Sequence, residues 1–246
     1  MEALIKCENL CKEYDGQPAL SNVNLEIGRG RIVGLLGPNG SGKTTLIKIL
    51  CGLLKESSGR VLIDGQAPGM LTKPLVSYLP DRTYFPDWAK ALDMLDLFDD
   101  FYADFDRKKA EAMCVWLDIR MNQRIKTMSK GTKEKMQLAL TMSRKAVIYL
   151  LDEPIAGVDP AARDFILDTI LKNYNEAGTV LISTHLITDV ERVLDEAVFI
   201  KEGRVVLHRN VDDIREDNGK SVDSVFREIF KTMPLYFENA GGEYNA

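Results

Sequence analysis

The chain has 246 residues, of which 45% are hydrophobic and 28% charged, and its formal net charge is −5 at pH 7. This composition is typical of a globular protein with one large core and room for a small subdomain. The net negative charge does not favour nucleic acid as a partner. No apolar run has the length needed to span a bilayer, and the N-terminus lacks a signal-peptide pattern. Four scattered cysteines lack an accompanying histidine cluster, so we expect reduced thiols rather than a metal or redox site; they are Cys7, Cys11, Cys51 and Cys114.

The sequence pattern predicts β-strands in the first part of the chain. Residues 4–10 predict a first strand, and Tyr14 stands directly before a turn at Asp15-Gly16. Apolar and polar residues alternate over residues 22–27, which favours an antiparallel strand with one solvent-exposed face. Residues 31–36 are a short apolar segment of the kind that forms a buried parallel strand.

The next stretch carries the clearest motif of the chain. It fits the pattern G-x-x-x-x-G-K-[ST] and consists of Gly37, Pro38, Asn39, Gly40, Ser41, Gly42, Lys43, Thr44 and Thr45. Glycines let successive backbone N–H groups point into one concavity, and a following helix adds its positive dipole end. Lys43 suits the β- and γ-phosphates of a nucleotide, the hydroxyl of Thr44 suits Mg²⁺, and the backbone N–H of Thr45 suits the α-phosphate. The sequence therefore predicts that the chain binds a nucleoside triphosphate.

Helical and strand patterns follow in alternation. Leucine and isoleucine recur at helical spacing from Leu46 to Leu54, which predicts a helix ending near Lys55. Strands are predicted at residues 59–65 and 75–80, and Asp81 ends the second one.

From residue 88 to about residue 140 the pattern is helical. One apolar stripe consists of Leu92, Leu95, Phe98, either Phe101 or Tyr102, and Phe105. The aspartates between them are interpreted as a solvated face, with a docking surface for a basic partner as the alternative; they are Asp93, Asp96, Asp99, Asp100 and Asp104. Ser129 is a suitable N-cap for a last helix that runs to about Arg144.

A second diagnostic stretch begins at residue 146. A continuous apolar strand ends at Asp152 and Glu153, and α/β sheets bind ligands at this edge. Asp152 can hold Mg²⁺ directly or through a water, and Glu153 can take a proton from an attacking water. The alternative is a surface Asp-Glu pair that merely follows a buried strand.

Further strands and helices complete the chain. Asp159 lies in a tight turn before a helix predicted at residues 161–174, and a buried strand is predicted at 179–183. His185 follows that strand; a capping or packing role is the default for a lone histidine, but the shared sheet edge favours contact with a γ-phosphate. Residues 197–208 predict a hairpin in which His208 is structural or exposed. An amphipathic helix at residues 222–230 carries few cations and is expected to pack on the core, and residues 239–246 are expected to fray.

In this order the motifs resemble those of the ATP-binding-cassette (ABC) ATPases, and the resemblance covers nearly the whole chain. Tyr14 matches the adenine-stacking aromatic, residues 37–45 match Walker A, and Asp81 stands in the Q-loop. Ser129 and Gly131 match the signature, Asp152 and Glu153 match Walker B, Asp159 matches the D-loop, and His185 matches the switch histidine.

The resemblance implies an α/β fold: a P-loop NTPase with a RecA-like core, an antiparallel β subdomain and an inserted α-helical subdomain. Residues 1–86 and 141–214 would form the core with the β subdomain. Residues 87–140 would form the helical subdomain, and residues 215–246 a short C-terminal helical extension.

The resemblance also implies an ATPase that uses ATP and Mg²⁺. Its partners would be a second ABC ATPase subunit and an integral membrane permease subunit, with the chain peripheral on the cytoplasmic face of the cell membrane. Ser129 and Gly131 would then act on ATP bound by the other subunit. The S-K-G signature looks most like bacterial exporter-type cassettes.

Two other classes stay open at this point. One is a soluble ABC ATPase without a transport role, as in iron–sulfur-cluster assembly, and the other is a cassette coupled to membrane complexes for signalling or division. DNA-repair cassettes carry a long coiled-coil insertion, for which the segment between Lys43 and Asp152 is too short. The transported substrate cannot be read from the chain, because cargo contacts lie on the membrane subunit.

Three positions depart from the family pattern. Asp81 replaces the Q-loop glutamine; a carboxylate can still reach Mg²⁺ or a water, but it cannot donate a hydrogen bond. Lys130 adds a cation to the signature, and Ala156 stands in the D-loop where a hydroxyl is common. Because Lys43, Asp152, Glu153 and His185 are all present, we expect an active ATPase.

Overall fold

A computed structural model describes residues 3–175 and 177–231. Its strands are β1 (Ile5–Tyr14), β2 (Gln17–Ile27), β3 (Ile32–Leu36), β4 (Ser58–Ile63), β5 (Val76–Leu79), β6 (Ile148–Asp152), β7 (Thr179–Thr184), β8 (Glu196–Lys201) and β9 (Arg204–Asn210). Its helices are α1 (Lys43–Leu50), α2 (Ala91–Phe101), α3 (Arg107–Trp116), α4 (Lys130–Met142), α5 (Pro160–Asn173), α6 (Ile187–Val190), α7 (Val211–Asn218) and α8 (Val222–Phe230). No helix in this part of the chain is both long and apolar enough to cross a membrane.

A three-stranded antiparallel sheet has the order β2-β1-β4. The alternation predicted in β2 is confirmed, because Val23, Leu25 and Ile27 are buried. Strand β1 runs four residues beyond the predicted Leu10 and ends at Tyr14, which pairs with Gln17 across the turn. This sheet is the expected antiparallel β subdomain.

A six-stranded sheet has the order β5-β6-β7-β3-β8-β9 and is parallel except for the β8–β9 hairpin. Strand β7 lies between β3 and β6, with Thr184 beside Leu36 and Ser183 beside Asp152. The carboxyl ends of three parallel strands therefore meet at one edge, which places the phosphate loop next to the segments that follow Asp152 and Thr184. Sequence spacing predicts the strands, but this strand order is decided by the fold.

Helix α1 is shorter than the sequence pattern predicts. It ends at Leu50, and Gly52 then takes a φ of 67°. Leu53, expected on the buried stripe, is 62% exposed. The prediction is wrong here because the glycine's left-handed conformation terminates the helix before the apolar spacing ends.

Helices α2, α3 and α4 form the inserted helical region. The apolar stripe is confirmed at Leu95, Phe98 and Phe105, which are buried, while Phe101 is 76% exposed and Tyr102 packs against the core instead. The solvated-face interpretation is wrong for Asp104, which accepts hydrogen bonds from Arg144.

Arg144 joins this helical region to the central sheet. Its guanidinium is 3% exposed and donates to the carbonyls of Val76, at 2.6 Å, and Pro74, at 2.9 Å. It also lies 4.0 Å from the centre of the Tyr102 ring. A single buried cation thus connects strand β5 with the end of α2.

The C-terminal helix α8 packs against strand β8 through aromatic side chains. Helices α6 and α7 are not anticipated by the sequence pattern, whereas α8 is found where it is predicted. The rings of Phe226 and Phe230 stack at 4.0 Å, and Phe226 contacts the buried Phe199, which confirms that α8 packs on the core. His208 binds Glu196 at 2.8 Å in the β8–β9 hairpin, a structural role. The fraying expected for residues 239–246 concerns a segment outside the described residues.

Candidate functional site

The phosphate loop spans residues 37–42, between β3 and α1, and three of its glycines are required by geometry. Gly40 and Gly42 take φ values of 81° and 108°, in the region that side chains rarely adopt. A Cβ on Gly37 would lie 2.5 Å from the carbonyl oxygen of Ile200, and one on Gly42 would lie 2.7 Å from that of Ala19. The loop is therefore pressed against neighbouring backbone at Gly37 and Gly42. Two of its amides already donate to carbonyls, that of Gly37 to Thr184 at 3.3 Å and that of Ser41 to Pro38 at 3.2 Å.

Lys43 is the cation of this loop. Its side chain is 5% exposed, and Nζ donates to the carbonyls of Gly37 at 2.7 Å and Pro38 at 3.2 Å. Nζ also lies 3.2 Å from Oε1 of Glu153. The ammonium group is thus held at the mouth of the loop by oxygen atoms that a phosphate can replace or join.

Asp152 ends strand β6 and is 1% exposed. Its Oδ1 accepts hydrogen bonds from Ser183 at 2.6 Å and Thr44 at 3.2 Å, while its Oδ2 is buried and has no hydrogen-bond partner among the described residues. Burial raises the pKa of Asp152, the two hydroxyls oppose this shift, and the nearby charges of Asp81 and Glu153 add to it. A divalent cation would relieve the cost of this buried carboxylate.

The donor set at this point fits Mg²⁺. Hydroxyl and carboxylate oxygens are the ligands that Mg²⁺ prefers, usually with several waters retained. Thr44 and Asp152 bring two such oxygens within 3.2 Å of each other, and the second oxygen of Asp152 has no other partner among residues 3–175 and 177–231.

Glu153 follows directly and lies against both Lys43 and His185. Its backbone takes a φ of 52°, and its N–H donates to the carbonyl and hydroxyl oxygens of Ser183 at 3.1 and 3.0 Å. Its side chain is 13% exposed, and Oε2 lies 3.0 Å from Nδ1 of His185. The strained backbone therefore directs a carboxylate to the mouth of the phosphate loop, between two potential cations.

Ser183 is a site residue that the sequence analysis does not identify. The sequence pattern predicts only that it ends a strand, yet its hydroxyl donates to Asp152, and its carbonyl and hydroxyl oxygens accept from the N–H of Glu153. The available signal is that a small hydroxyl residue stands two positions before His185 in a strand that ends at the same sheet edge.

Asp81 reaches this region without touching the metal-binding oxygens. Its side chain is 41% exposed and lies 3.9 Å from Nε of Arg82. No hydrogen bond among the described residues joins it to Asp152 or Glu153, but it lines one small cavity with both of them. The contact of Asp81 with Mg²⁺ therefore stays a prediction, and its side chain lies near Asp152 and Glu153 without a hydrogen bond to either.

Among the described residues, the remaining predicted site residues make no hydrogen bond or ion pair with the phosphate loop. Ser129 is exposed and caps α4 by accepting from the N–H of Thr132 at 3.1 Å, as predicted. Gly131 is exposed, and a Cβ there would meet nothing within 4 Å. Asp159 is exposed and caps α5.

Tyr14 lies at the end of β1 and is 45% exposed, with Nζ of Lys12 5.3 Å from the centre of its ring. Its ring is available for stacking, and nothing else in its surroundings assigns it a role.

Comparisons with known proteins identify the family to which this fold belongs. The family model described as "ABC transporter" matches residues 20–156, more than half of the chain. An uncharacterized ABC transporter ATP-binding protein of Methanocaldococcus jannaschii is 30% identical over 235 residues, which cover 90% of this chain and 86% of that protein. The SkfA peptide export ATP-binding protein SkfE of Bacillus subtilis is 29% identical, over 87% of this chain and 92% of that protein.

A solved structure of an ATP-binding subunit of an ABC transporter superposes with a TM-score of 0.80 and 27% identity. The match covers 93% of this chain and all of the other. The overall arrangement of sheets and helices is therefore that of an ABC cassette. On the evidence of the family match, the relative at 30% identity and the convergent phosphate loop and carboxylates, the chain belongs to the ABC transporter family, as an ATP-binding subunit that hydrolyses ATP to power transport.

Proposed function

We propose that this chain works as one of two ATPase subunits that close on ATP at the cytoplasmic face of the membrane and drive a separate permease subunit. The observation that carries the proposal is the convergence of Lys43, Asp152, Glu153 and His185 at one sheet edge. The direction of transport that we propose is export, for which the support is the S-K-G signature and the similarity to a relative named for peptide export.

In the proposed reaction Glu153 accepts a proton from the water that attacks the γ-phosphate. Its contacts with Lys43 and His185 hold the carboxylate at the mouth of the loop, where such a water would lie. Lys43 and His185 stabilise the negative charge that develops on the transferred phosphoryl group. The backbone amides of residues 37–45 bind the phosphates, with the amide of Thr45 at the α-phosphate.

We propose that Thr44 and Asp152 hold Mg²⁺, with Asp81 as a further ligand through a water. Mg²⁺ neutralises charge on the β- and γ-phosphates when it is bound. The buried, unpartnered Oδ2 of Asp152 supports this assignment. The exposed carboxylate of Asp81 can accept a hydrogen bond from a metal-bound water but cannot donate one.

The exposed caps of two helices are proposed to act across a subunit interface. Ser129 and Gly131 present the N-terminus of α4 to solvent, where its amides can bind the phosphates held by a second subunit. Asp159 lies at the start of α5 and would take part in the same interface. The ring of Tyr14 would stack on adenine.

A large groove beside β5 and α2 is the proposed docking surface for the permease. It encloses about 800 Å³ and exposes the apolar side chains of Tyr84, Leu97 and Phe101. The cations Lys48, Lys73 and Arg82 also line it together with the carboxylate Asp81, so cations outnumber carboxylates although the chain as a whole is acidic. A segment with apolar residues on one side and carboxylates on the other fits this surface, and we propose that a cytoplasmic loop of the permease supplies it.

The proposal is tested by purifying the tagged chain from membranes of its own cells in detergent. We expect it to bring with it a protein that has several membrane-spanning helices. Phe101→Glu should lose this partner and keep ATP hydrolysis, because Phe101 is 76% exposed in the groove and does not line the small cavity beside Asp152 and Glu153. Val115→Glu is the matched control: Val115 is 78% exposed on α3 and does not line the groove.

A soluble partner in place of a membrane protein would contradict the transport proposal and favour a soluble cassette ATPase. Equal loss of the partner in Phe101→Glu and Val115→Glu would contradict the groove as the docking surface.

A further inference from the structure

A small cavity lies where the ends of β5 and β6 meet helix α4. Its volume is about 40 Å³, and its polar lining consists of Asp81, Glu134, Lys135, Gln137, Asp152 and Glu153. A water molecule needs roughly 10–15 Å³ of such space and two to four polar partners. The cavity therefore offers room for water directly beside the two carboxylates at the end of β6.

Gln137 is the only glutamine in this cavity's lining and is 2% exposed. Its Nε2 lies 2.9 Å from the carbonyl oxygen of Pro80. A carbonyl can only accept, so the nitrogen of the amide must face Pro80 and the oxygen must face away from it. That oxygen, Oε1, is buried and has no hydrogen-bond partner among the described residues.

The carbonyl that accepts from this amide lies next to a position at which the chain departs from the family pattern. Pro80 directly precedes Asp81, which stands in the position of the Q-loop glutamine. Asp81 offers no donor, whereas Gln137 brings a donor and an acceptor into the same cavity from a different element. The signature residue Ser129 caps the N-terminus of α4, so the side chain of Gln137 connects the signature helix with the segment that carries Asp81.

We propose that Gln137 is a positioning residue for ATP hydrolysis. Its amide holds the Pro80–Asp81 segment against α4 and thereby keeps the carboxylate of Asp81 beside Asp152 and Glu153. Movement of the signature helix is then transmitted to Asp81 through this hydrogen bond. The inference rests on the role proposed above for Asp81 and adds the group that holds it in place.

The first test measures how well the Pro80–Asp81 segment is protected from proteolysis in the absence of ATP. Arg82 is a natural trypsin site whose side chain is 92% exposed. Gln137→Met keeps the length of the side chain and removes both polar atoms. We expect cleavage of the full chain after Arg82 to become at least threefold faster, while cleavage at other sites is unchanged. An unchanged rate at Arg82 would overturn the proposal.

Gln123→Met is the matched control for this measurement. Gln123 is also a glutamine of the helical region whose amide donates to a backbone carbonyl, that of Thr127 at 3.2 Å, but the contact is exposed. Cleavage after Arg82 should keep its wild-type rate in this variant. If Gln137→Met folds poorly, Gln137→Leu replaces it, because leucine also lacks a polar atom and is smaller than methionine.

The second test asks whether Gln137 acts through Asp81. Gln137→Met should lower kcat about tenfold and leave KM for ATP within about twofold, because the phosphate loop is untouched. In an Asp81→Ala background the same substitution should lower kcat by less than about twofold, since the carboxylate that Gln137 positions is absent. A tenfold loss of kcat in both the wild-type and the Asp81→Ala background, or no loss of kcat in either, would overturn the proposal.

The two tests separate this inference from the function it rests on. Wild-type turnover in Asp81→Ala would remove the role proposed for Asp81. The trypsin measurement would then decide by itself whether Gln137 holds the Pro80–Asp81 segment.

Discussion

Replacing Glu153 by glutamine tests the proposed base most directly. The substitution keeps the shape of the side chain and removes its ability to take a proton. General bases contribute about 10²–10⁴-fold to a rate. At about 1.4 kcal/mol for each factor of ten, this corresponds to a barrier raised by about 3–5 kcal/mol.

The same substitution should not weaken ATP binding. Lys43 lies 3.2 Å from Oε1 of Glu153, so the ammonium is partly neutralised by a carboxylate that must share it with the γ-phosphate. Hydrogen bonds to charged groups contribute about 1.5–3 kcal/mol. Neutralising Glu153 also removes a negative charge next to the phosphates, and we expect Kd for ATP to fall by up to about tenfold.

Phosphate release at saturating Mg²⁺ and ATP measures the first effect, and calorimetric titration with ATP measures the second. We also expect Glu153→Gln to accumulate as an ATP-bound dimer in size-exclusion chromatography. Glu216→Gln, an exposed glutamate on α7, is the matched control. Turnover within threefold of the wild type would exclude Glu153 as the base, and ATP binding weakened tenfold would refute the reasoning about Lys43.

Three further outcomes are expected. Gly42→Ala should destabilise the protein by about 1–3 kcal/mol in urea unfolding, because a Cβ would lie 2.7 Å from the carbonyl of Ala19 at a φ of 108°; Gly69→Ala, where the nearest atom is 3.8 Å away, is the control, and equal effects would contradict the argument. Asp152→Asn should raise Tm of the nucleotide-free protein at pH 7 while abolishing the extra stabilisation that Mg²⁺ gives with ATP. Burial raises the pKa of Asp152 in the folded protein, so the free energy of unfolding falls as pH rises above the pKa of this group in the unfolded state. A neutral amide avoids the cost of burying the charged carboxylate. A lower Tm of Asp152→Asn in thermal melts would contradict the reasoning. Tyr14→Ala should raise KM for ATP about fivefold or more and Tyr14→Phe should not, because stacking requires only the ring; equal KM values in all three proteins would remove Tyr14 from the adenine site.

Much of the site could be predicted from sequence because its residues lie in short local motifs. Gly40 and Gly42 are required by positive φ values of the loop's own backbone, and Asp152 with Glu153 follows an apolar strand that is recognisable by itself. Ser183 could not be predicted in the same way, since its role comes from lying beside Asp152 in a neighbouring strand. The prediction for Asp104 is wrong for a similar reason, because its partner Arg144 is 40 positions away along the chain.

The sequence by itself determined the chemistry that this protein can perform and the kind of backbone that carries it. Only the tertiary structure decided that β7 lies between β3 and β6, which brings Lys43, Asp152, Glu153 and His185 together. Only the fold shows that Gln137, a residue of an unremarkable helical pattern, turns its amide to Pro80. Local motifs are encoded by neighbours along the chain, whereas strand order and burial depend on how distant segments share one core.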